Sequence, residues 1–390
     1  VWIFFDKSIT ALKARKLGNA ILTEAMNREA RLSFKSYDRF FPNQDSLPEG
    51  GLGNLVALPL QGMARRKGNS VFVDNKFNAY EDQWTFLSQI HKFSEAELDL
   101  LLRQHTVPTL GELSKSSETK PWETPQIGTP LADCYPKQIV LIRANMLYIP
   151  LANLSAKCVN AFKRIAAFRN PEFYEKQGMR LSTYNIPRII SCSEMTDDYL
   201  ALPRGCEGAV CDVLSQHNVN VTISDKTNPG RSINVTFKGK LREEQQKAIE
   251  AFAKHNIGTL SATTAFGKTV FAIGMIAKRK VNTLILVHNK ALLEQWKERL
   301  ENFLEINETI EEPERRRGRK KQSSIIGCLC SGKNSLHCII DIALIQSCLT
   351  NGEVKPFVRN YGMVVVDECH HVSSVSFEQV LRQVTAAYVY

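Results

Sequence analysis

Residues 261–277 read SATTAFGKTVFAIGMIA and pass from the end of an apolar segment through a tight loop into an apolar helix. A loop of this kind directs backbone N–H groups and the positive end of a helix toward a phosphate group. Lys268 would reach the β- and γ-phosphates of a nucleotide, and the Thr269 hydroxyl would bind Mg²⁺. The other residues expected around the phosphates are Thr263, Thr264, Ala265, Phe266 and Gly267. This stretch predicts a nucleotide-binding loop, with a chance GKT at a strand–helix joint as the alternative.

The usual pattern of such a loop is GxxxxGK followed by Ser or Thr, and this chain departs from it. Ala262 replaces the first glycine, and Ala265 occupies another position that is commonly glycine. Because alanine seldom adopts a positive φ, we expect a slightly altered loop.

A second motif lies at residues 361–371, which read YGMVVVDECHH. Asp367 and Glu368 follow an apolar strand, and ligands of open parallel sheets bind at the carboxyl ends of the strands. We therefore expect both carboxylates to face the phosphate loop. Asp367 would bind Mg²⁺ through water, and Glu368 would polarise the attacking water for an in-line displacement. The alternative is a solvated strand end, although two acidic groups after an apolar strand are costly to place there without a cation.

Residues near these motifs are candidates for the same site. Arg242 and Gln245 lie before the loop, where a glutamine is suited to recognise adenine, and an ordinary helix start is an equal alternative. Candidates for holding a nucleic-acid phosphate lie where strands end or helices start: His288, Asn289, Lys290, Gln346 and Ser347. We expect Trp296, in the helix after Lys290, to lie in the core rather than to stack on a base.

The chain has 390 residues, and 50 Lys and Arg against 40 Asp and Glu give a formal net charge of +10. Its length suggests two or three domains, and no apolar run approaches the roughly 20 residues of a membrane helix. The segments TLILVH and MVVVDE are apolar runs typical of buried parallel strands. The predicted fold class is multidomain α/β, with a C-terminal open parallel sheet flanked by helices and an N-terminal α+β part.

The 10 cysteines are scattered and form no paired CxxC array. Cys328, Cys330, His337 and Cys338 suggest a zinc cluster, but their spacing fits no usual zinc site. Cys328 and Cys330 also fall in a short apolar stretch that reads as a strand. We therefore expect buried, reduced thiols in a cytoplasmic protein.

Composition divides the chain into four parts. The predicted parts are residues 1–105, a linker at 106–137, a connecting α/β domain at 138–240 that is a candidate for DNA binding, and residues 241–390. In the connecting domain, residues 139–150, IVLIRANMLYIP, read as one strand. A basic run at 311–321, EEPERRRGRKK, is expected to form an exposed loop with a secondary attraction for DNA.

The motifs TAFGKTV and DECHH, with LREEQ before them and a QW helix between them, resemble the first RecA-like domain of superfamily 2 helicases. DECH is a variant of the DEAD/DEAH box, and Ala265 is an accepted variant within that loop. The resemblance covers residues 241–390 and implies an ATP- and Mg²⁺-dependent motor that grips one strand of DNA or RNA. It also implies a second RecA-like domain beyond residue 390.

The N-terminal motifs VWIFF, SYDRFFPNQD and GGLGNLVALPLQGMARRKGNSVFVD resemble the C-terminal half of an archaeo-eukaryotic-type primase domain. The order of the parts resembles the primase–helicase proteins of TOTE-type conflict systems. The resemblance makes Asp38 a metal-binding catalytic carboxylate, with Asp6 a weaker candidate, and puts the upstream primase half before residue 1. Arg65 and Arg66 would contact phosphates of template or nucleotide. From chemistry alone, Asp38 is equally a turn-capping residue, and the two arginines are solvated charges.

Three functions remain open at this point. The leading interpretation is an ATP-dependent nucleic-acid helicase or translocase fused to a primase-type nucleotidyltransferase domain. We expect an incomplete fragment, because Val1 and Tyr390 both lie in apolar runs that read as strands of a longer protein. The alternatives are a DNA translocase subunit of a restriction or repair system, and a module that binds ATP and DNA without hydrolysis.

Overall fold

The computed structural model describes residues 1–34, 41–42, 56, 58–104, 135–179, 181–183, 185–310, 324–330, 332–369 and 375–390. The predictions for Asp38, for the basic run 311–321 and for residues 106–134 of the linker lie outside the described residues. The chain clusters into two compact units. The first is Val1–Gln138, Pro150–Leu200 and Ala209–Asn220, and the second is Ile139–Ile149, Ala201–Gly208 and Val221–Tyr390.

Helices and strands are numbered along the chain. The helices are α1 (Ala11–Arg28), α2 (Gly62–Arg66), α3 (Gln83–Gln89), α4 (Glu95–Gln104), α5 (Ala156–Ile165), α6 (Pro171–Gly178), α7 (Glu207–Gln216), α8 (Glu243–Phe252), α9 (Lys268–Arg279), α10 (Lys290–Phe303) and α11 (Val375–Gln383). The strands are β1 (Gln138–Arg143), β2 (Leu147–Pro150), β3 (Ala167–Arg169), β4 (Ile189–Ser191), β5 (Glu194–Met195), β6 (Tyr199–Leu202), β7 (Asn220–Asp225), β8 (Val235–Phe237), β9 (Thr283–Val287), β10 (Leu304–Ile306), β11 (Ile326–Cys330), β12 (Lys333–Asn334), β13 (Ile340–Leu344), β14 (Leu349–Thr350), β15 (Glu353–Val354), β16 (Met363–Val366) and β17 (Tyr388–Val389).

In the first unit, α1 packs against α4 and α5. A buried ammonium group joins α5 to the segment after α1. Lys163 Nζ donates to the carbonyl oxygens of Ala30 and Leu32 at 2.6 and 2.7 Å. Burial lowers the pKa of Lys163, and the two carbonyls satisfy the protonated form. Together with the packing of α1 on α5, this contact joins residues before and after the predicted linker within the first unit.

The second unit is built on a six-stranded sheet in the order β12-β11-β13-β9-β16-β17. Strand β12 pairs antiparallel with β11, and the other neighbours are parallel. Strands β9 and β13 are buried along their whole length, as expected of parallel strands covered on both faces. The predicted α/β class with a C-terminal open parallel sheet is confirmed.

Alternate residues of β9 show how helices cover both faces of this sheet. Ile285 and Val287 lie in one core with apolar residues of α8, α9 and α10. Leu284 and Leu286 lie in a second core with residues of α11. The two-residue period of the strand therefore divides an uninterrupted apolar run between two helical layers.

A second sheet in this part of the chain contains β6, β2, β1 and β7 as neighbours in that order. The single strand predicted for residues 139–150 is wrong, because β1 and β2 are antiparallel with Arg143 opposite Leu147. The Asn145 side chain at the turn donates to the Arg382 carbonyl oxygen at 2.7 Å, which ties the hairpin to the end of α11. The polar residues Arg143 and Asn145 interrupt the apolar run at this turn, and asparagine is a common turn residue.

The cysteines of the described residues are free thiols, and Cys328 and Cys330 lie in β11 as the apolar pattern predicts. Within the ranges described above, no three His, Cys, Asp or Glu side chains are grouped so that they could hold a metal ion. The same ranges contain no helix with the length and apolar character needed to cross a membrane.

Candidate functional site

The loop before α9 turns once before the helix begins. Residues Thr264–Phe266 form a 3₁₀ turn after Thr263, and Gly267 then adopts φ +82° and ψ +52°. Glycine accepts this left-handed conformation without steric cost. Neither Ala262 nor Ala265 has a positive φ. The two alanines therefore put no strain on the loop, contrary to expectation, because the left-handed position falls on a glycine.

Two side chains at the start of α8 support this loop. Arg242 Nη2 donates to the carbonyl oxygens of Ala265, at 2.9 Å, and of Phe266. Gln245 Nε2 donates to the same Phe266 carbonyl at 2.8 Å, and Gln245 Oε1 accepts the Arg242 N–H at 3.0 Å. Gln245 is buried, and hydrogen bonds hold both the oxygen and the nitrogen of its amide. Contact of Arg242 and Gln245 with adenine stays a prediction.

Lys268 and Thr269 occupy the first turn of α9, and both side chains are half-buried. The first N–H groups of a helix have no partner within the helix and carry partial positive charge. Lys268 Nζ donates to the Ala262 carbonyl at 3.4 Å, which places the ammonium group over the loop. A polyphosphate in the loop would therefore meet helix N–H groups, an ammonium group and a hydroxyl.

The acidic pair follows β16 directly. Asp367 Oδ1 accepts the Glu368 N–H at 3.0 Å, and Oδ2 accepts the indole N–H of Trp296 at 2.7 Å. Glu368 has φ +52°, a left-handed conformation that costs a non-glycine residue about 1–2 kcal/mol. Strained backbone of this kind clusters at functional sites, where surrounding structure maintains it.

Both motifs leave the sheet at one edge. Ile257, upstream of the loop, pairs in parallel with Val389 of β17, and Val389 pairs with Val364 of β16. The loop that follows Ile257 and the acidic pair that follows Val366 therefore lie beyond the carboxyl ends of parallel segments. This edge is the ligand-binding edge of open α/β sheets. The strand order thus brings the phosphate loop and the two carboxylates to the same side of the sheet.

The oxygen donors at this edge suit Mg²⁺. Thr269 provides a hydroxyl and Asp367 a carboxylate. Protein sites commonly hold Mg²⁺ through one or two carboxylates together with water and substrate phosphates, rather than through a complete protein cage. A single carboxylate beside a phosphate loop therefore fits a Mg²⁺ ion that arrives with a nucleotide.

The first group of candidates for nucleic-acid contact follows β9. Asn289 Oδ1 accepts the Leu292 N–H at 2.8 Å and so caps α10, and Asn289 Nδ2 lies 2.8 Å from His288 Nε2. Lys290 begins α10 and is exposed. The cap orders the start of α10, whose free N–H groups and adjacent lysine are suited to a phosphate.

The second group follows β13, the parallel neighbour of β9. Gln346 is exposed, and Ser347 is half-buried in the 3₁₀ turn Ile345–Cys348. Lys355 Nζ donates to the Ser347 carbonyl at 2.8 Å, which adds a positive charge beside this turn. The two groups therefore lie at the carboxyl ends of adjacent strands, as predicted from their positions after apolar runs.

Trp296 is buried in the core as predicted, with 1% of its surface exposed. Its hydrogen bond to Asp367 was not foreseen from the sequence. The residue type alone indicated that Trp296 needs a hydrogen-bond acceptor, because a buried indole N–H requires one whereas a phenyl ring does not. Arg65 and Arg66, the candidates from the N-terminal motifs, lie exposed in α2 of the first unit.

Comparison with known protein families finds two matches along the chain. The family described as "TOTE conflict system, Archaeo-Eukaryotic Primase domain" matches residues 1–101. The family described as "Type III restriction enzyme, res subunit" matches residues 238–389. The second match contains both the phosphate loop and the acidic pair.

Curated relatives each match less than half of this chain. "Putative helicase 161L" of Invertebrate iridescent virus 6 is 30% identical over 177 residues, which are 44% of this chain and 37% of the relative. "DNA 3'-5' translocase XPB2" of Sulfurisphaera tokodaii is 30% identical over 138 residues, 35% of this chain and 27% of the relative. The chain thus spans less than half the length of each. Among solved structures, T4 UvsW matches with a TM-score of 0.43 and 13% identity over 65% of this chain and 51% of that chain.

Proposed function

We propose that this chain, which joins a primase-type domain of the TOTE conflict-system class to a superfamily 2 helicase domain, works as an ATP-driven helicase or translocase. Helicase domains use ATP and bind nucleic acid. The observation that carries the proposal is the placement of the phosphate loop and the acidic pair at one edge of a parallel sheet. The relative named as a DNA 3'-5' translocase supports movement along DNA as the output.

Each residue at this edge has a proposed task. Lys268 and the N–H groups of α9 bind the β- and γ-phosphates of ATP. Thr269 and Asp367 hold Mg²⁺, which supplies charge neutralisation on the phosphates when it is bound. Glu368 accepts a proton from the attacking water. Arg242 and Gln245 keep the loop in its binding conformation through its carbonyl oxygens, with contact to adenine as the alternative task.

The nucleic-acid strand is proposed to run along the carboxyl ends of β9 and β13. The start of α10 at Asn289 and Lys290, with His288, binds one phosphate, and the turn with Gln346 and Ser347 binds another. DNA is the proposed strand, with RNA as the alternative. A second RecA-like domain is the proposed partner that completes the ATP site.

The primase-type part is proposed to contribute to nucleotidyl transfer. Asp38 is its proposed metal-binding carboxylate, and Arg65 and Arg66 are its proposed phosphate contacts.

Replacing both arginines by alanine should reduce the salt dependence of single-stranded DNA binding. The slope of log binding constant against log salt concentration should become smaller by about 1.4, because each lost phosphate contact contributes about 0.7. Replacing the exposed Arg28 and Arg31 removes equal charge and should leave the slope unchanged. Equal changes in both double variants would contradict the assignment.

The phosphate loop is tested by Lys268→Ala. This change should abolish binding of a fluorescent ATP analogue, because the phosphates lose their charged partner. Lys278→Ala is the matched control, since Lys278 lies exposed in the last turn of the same helix. Unchanged affinity in Lys268→Ala would overturn the assignment of the loop.

Glu368→Gln separates hydrolysis from binding. The amide keeps the shape of the side chain but cannot accept a proton from water at neutral pH. The variant should bind the ATP analogue as the wild type does, while DNA-stimulated phosphate release by the protein is lost. Equal loss of binding and release would contradict the role of Glu368. Absence of stimulated release in the wild type would favour the ATP- and DNA-binding module without hydrolysis.

A further inference from the structure

One buried side chain joins the core of the second unit to Asp367, the proposed magnesium-binding carboxylate. Trp296 lies in the second turn of α10, and its indole Nε1–H donates to Asp367 Oδ2 at 2.7 Å. The other carboxylate oxygen, Oδ1, accepts the Glu368 N–H at 3.0 Å. Each oxygen of Asp367 thus receives one N–H, and the two bonds together fix the plane of the carboxylate.

Packing alone does not require an indole at this position. Trp296 is 1% exposed among apolar residues, where an apolar side chain would need no hydrogen-bond partner. The indole N–H has instead a carboxylate oxygen as its acceptor, and hydrogen bonds to carboxylates are in general stronger than those to neutral acceptors. A carboxylate with one donor on each oxygen keeps further lone pairs for water molecules around a cation. The contact therefore orients Asp367 without occupying all of its acceptor capacity.

We propose that Trp296 is a positioning residue of the motor, whose indole N–H holds Asp367 in the orientation that receives the hydrated Mg²⁺ of a bound nucleotide. This inference rests on the proposed function, because it takes Asp367 as the magnesium-binding carboxylate. Partners that orient metal ligands typically affect metal affinity 10- to 100-fold when they are removed. Trp296 does this from the core, without contact with the nucleotide being required.

The test is Trp296→Phe, which removes the N–H and keeps an aromatic ring. The chain is titrated with Mg²⁺ at a fixed concentration of a fluorescent ATP analogue, and the binding is repeated in EDTA. The Mg²⁺ concentration for half-maximal enhancement of binding should rise about tenfold or more. Binding in EDTA should equal that of the wild type, because the phosphate loop is untouched. A defect in packing would instead weaken binding in both conditions.

The matched control is Tyr361→Phe. Tyr361 is also 1% exposed, and its hydroxyl donates to the buried Asp341 at 2.6 Å in the same sheet. This change removes a buried donor from a carboxylate outside the nucleotide site, so the Mg²⁺ titration should remain that of the wild type. A second variant carries benzothienylalanine at position 296, which replaces the indole N–H by sulfur at nearly the same shape and should reproduce the effect of phenylalanine.

The outcomes separate this inference from the proposed function. An unchanged Mg²⁺ titration in both substitutions at position 296 overturns the role of Trp296 while leaving the ATP site intact. An equal shift in Tyr361→Phe also overturns it, because the effect would then reflect general loosening of the sheet. A wild-type chain that binds the ATP analogue with no dependence on Mg²⁺ instead removes the basis of the proposed magnesium site.

Discussion

Gly267→Ala is expected to weaken ATP binding by an amount that follows from the loop geometry. Gly267 has φ +82°, and an alanine in this left-handed region costs about 1–2 kcal/mol. A Cβ atom at this position would lie 2.8 Å from Gln245 Nε2 and 3.1 Å from an Arg242 guanidinium nitrogen. Gln245 is buried and cannot swing away freely, so its hydrogen bond to the Phe266 carbonyl is lost at about 1 kcal/mol.

The two costs together are about 2–3 kcal/mol, which corresponds to about 30- to 150-fold weaker binding if the loop must hold this conformation to bind phosphate. Affinity is measured by titrating the chain with a fluorescent ATP analogue, and stability is measured in parallel by urea unfolding.

Gly352→Ala is the matched control. Gly352 has φ +81°, and a Cβ atom there would have no neighbour within 4 Å. The control should therefore lose about 1–2 kcal/mol of stability through its backbone alone, with unchanged affinity for the ATP analogue. A Gly267→Ala variant that binds within threefold of the wild type would refute the requirement for the left-handed loop. An equal loss of affinity in both variants would show that the effect is general destabilisation.

Two further substitutions and one labelling experiment test contacts in the second unit. Gln245→Glu replaces the amide donor to the loop by an acceptor. It should weaken binding of ATP and GTP analogues by the same factor, about tenfold, which corresponds to a loss of about 1.4 kcal/mol of binding free energy. A loss confined to ATP would instead indicate recognition of adenine. Tyr361→Phe should lower the free energy of unfolding by about 1–3 kcal/mol, because the buried Asp341 loses the hydrogen bond from the Tyr361 hydroxyl. A change below about 0.5 kcal/mol in urea unfolding would contradict this contribution of the hydrogen bond. Iodoacetamide at pH 8 should modify the exposed Cys369 well before Cys348, because burial raises the pKa of Cys348 to about 12 and leaves almost no reactive thiolate. The labelling is followed by mass spectrometry. Equal labelling of the two cysteines would contradict the burial of Cys348.

The local parts of the site follow from contiguous residues. The turn at Gly267 and the helix start at Lys268 depend on neighbouring residue types, so the motif predicts them directly. The apolar runs of β9 and β16 likewise predict buried parallel strands, and the lack of alternating polar positions in them indicates cover on both faces. The same reasoning fails at Asn145, because a short polar interruption by Arg143 and Asn145 does not by itself distinguish a reversal from a continuous strand.

The remaining features depend on contacts between residues far apart in the chain. Gln245 reaches the Phe266 carbonyl across 21 positions, and Trp296 reaches Asp367 across 71. β17 lies between β16 and the segment at Ile257. The residue pattern does not predict this order, because any buried apolar strand can pair with any other. Residue types along the chain therefore determined the chemistry available to this protein, a phosphate loop and an acidic pair. Strand order and helix packing decided which side chains support that chemistry, because those contacts form only when separate segments are brought to one edge of the sheet.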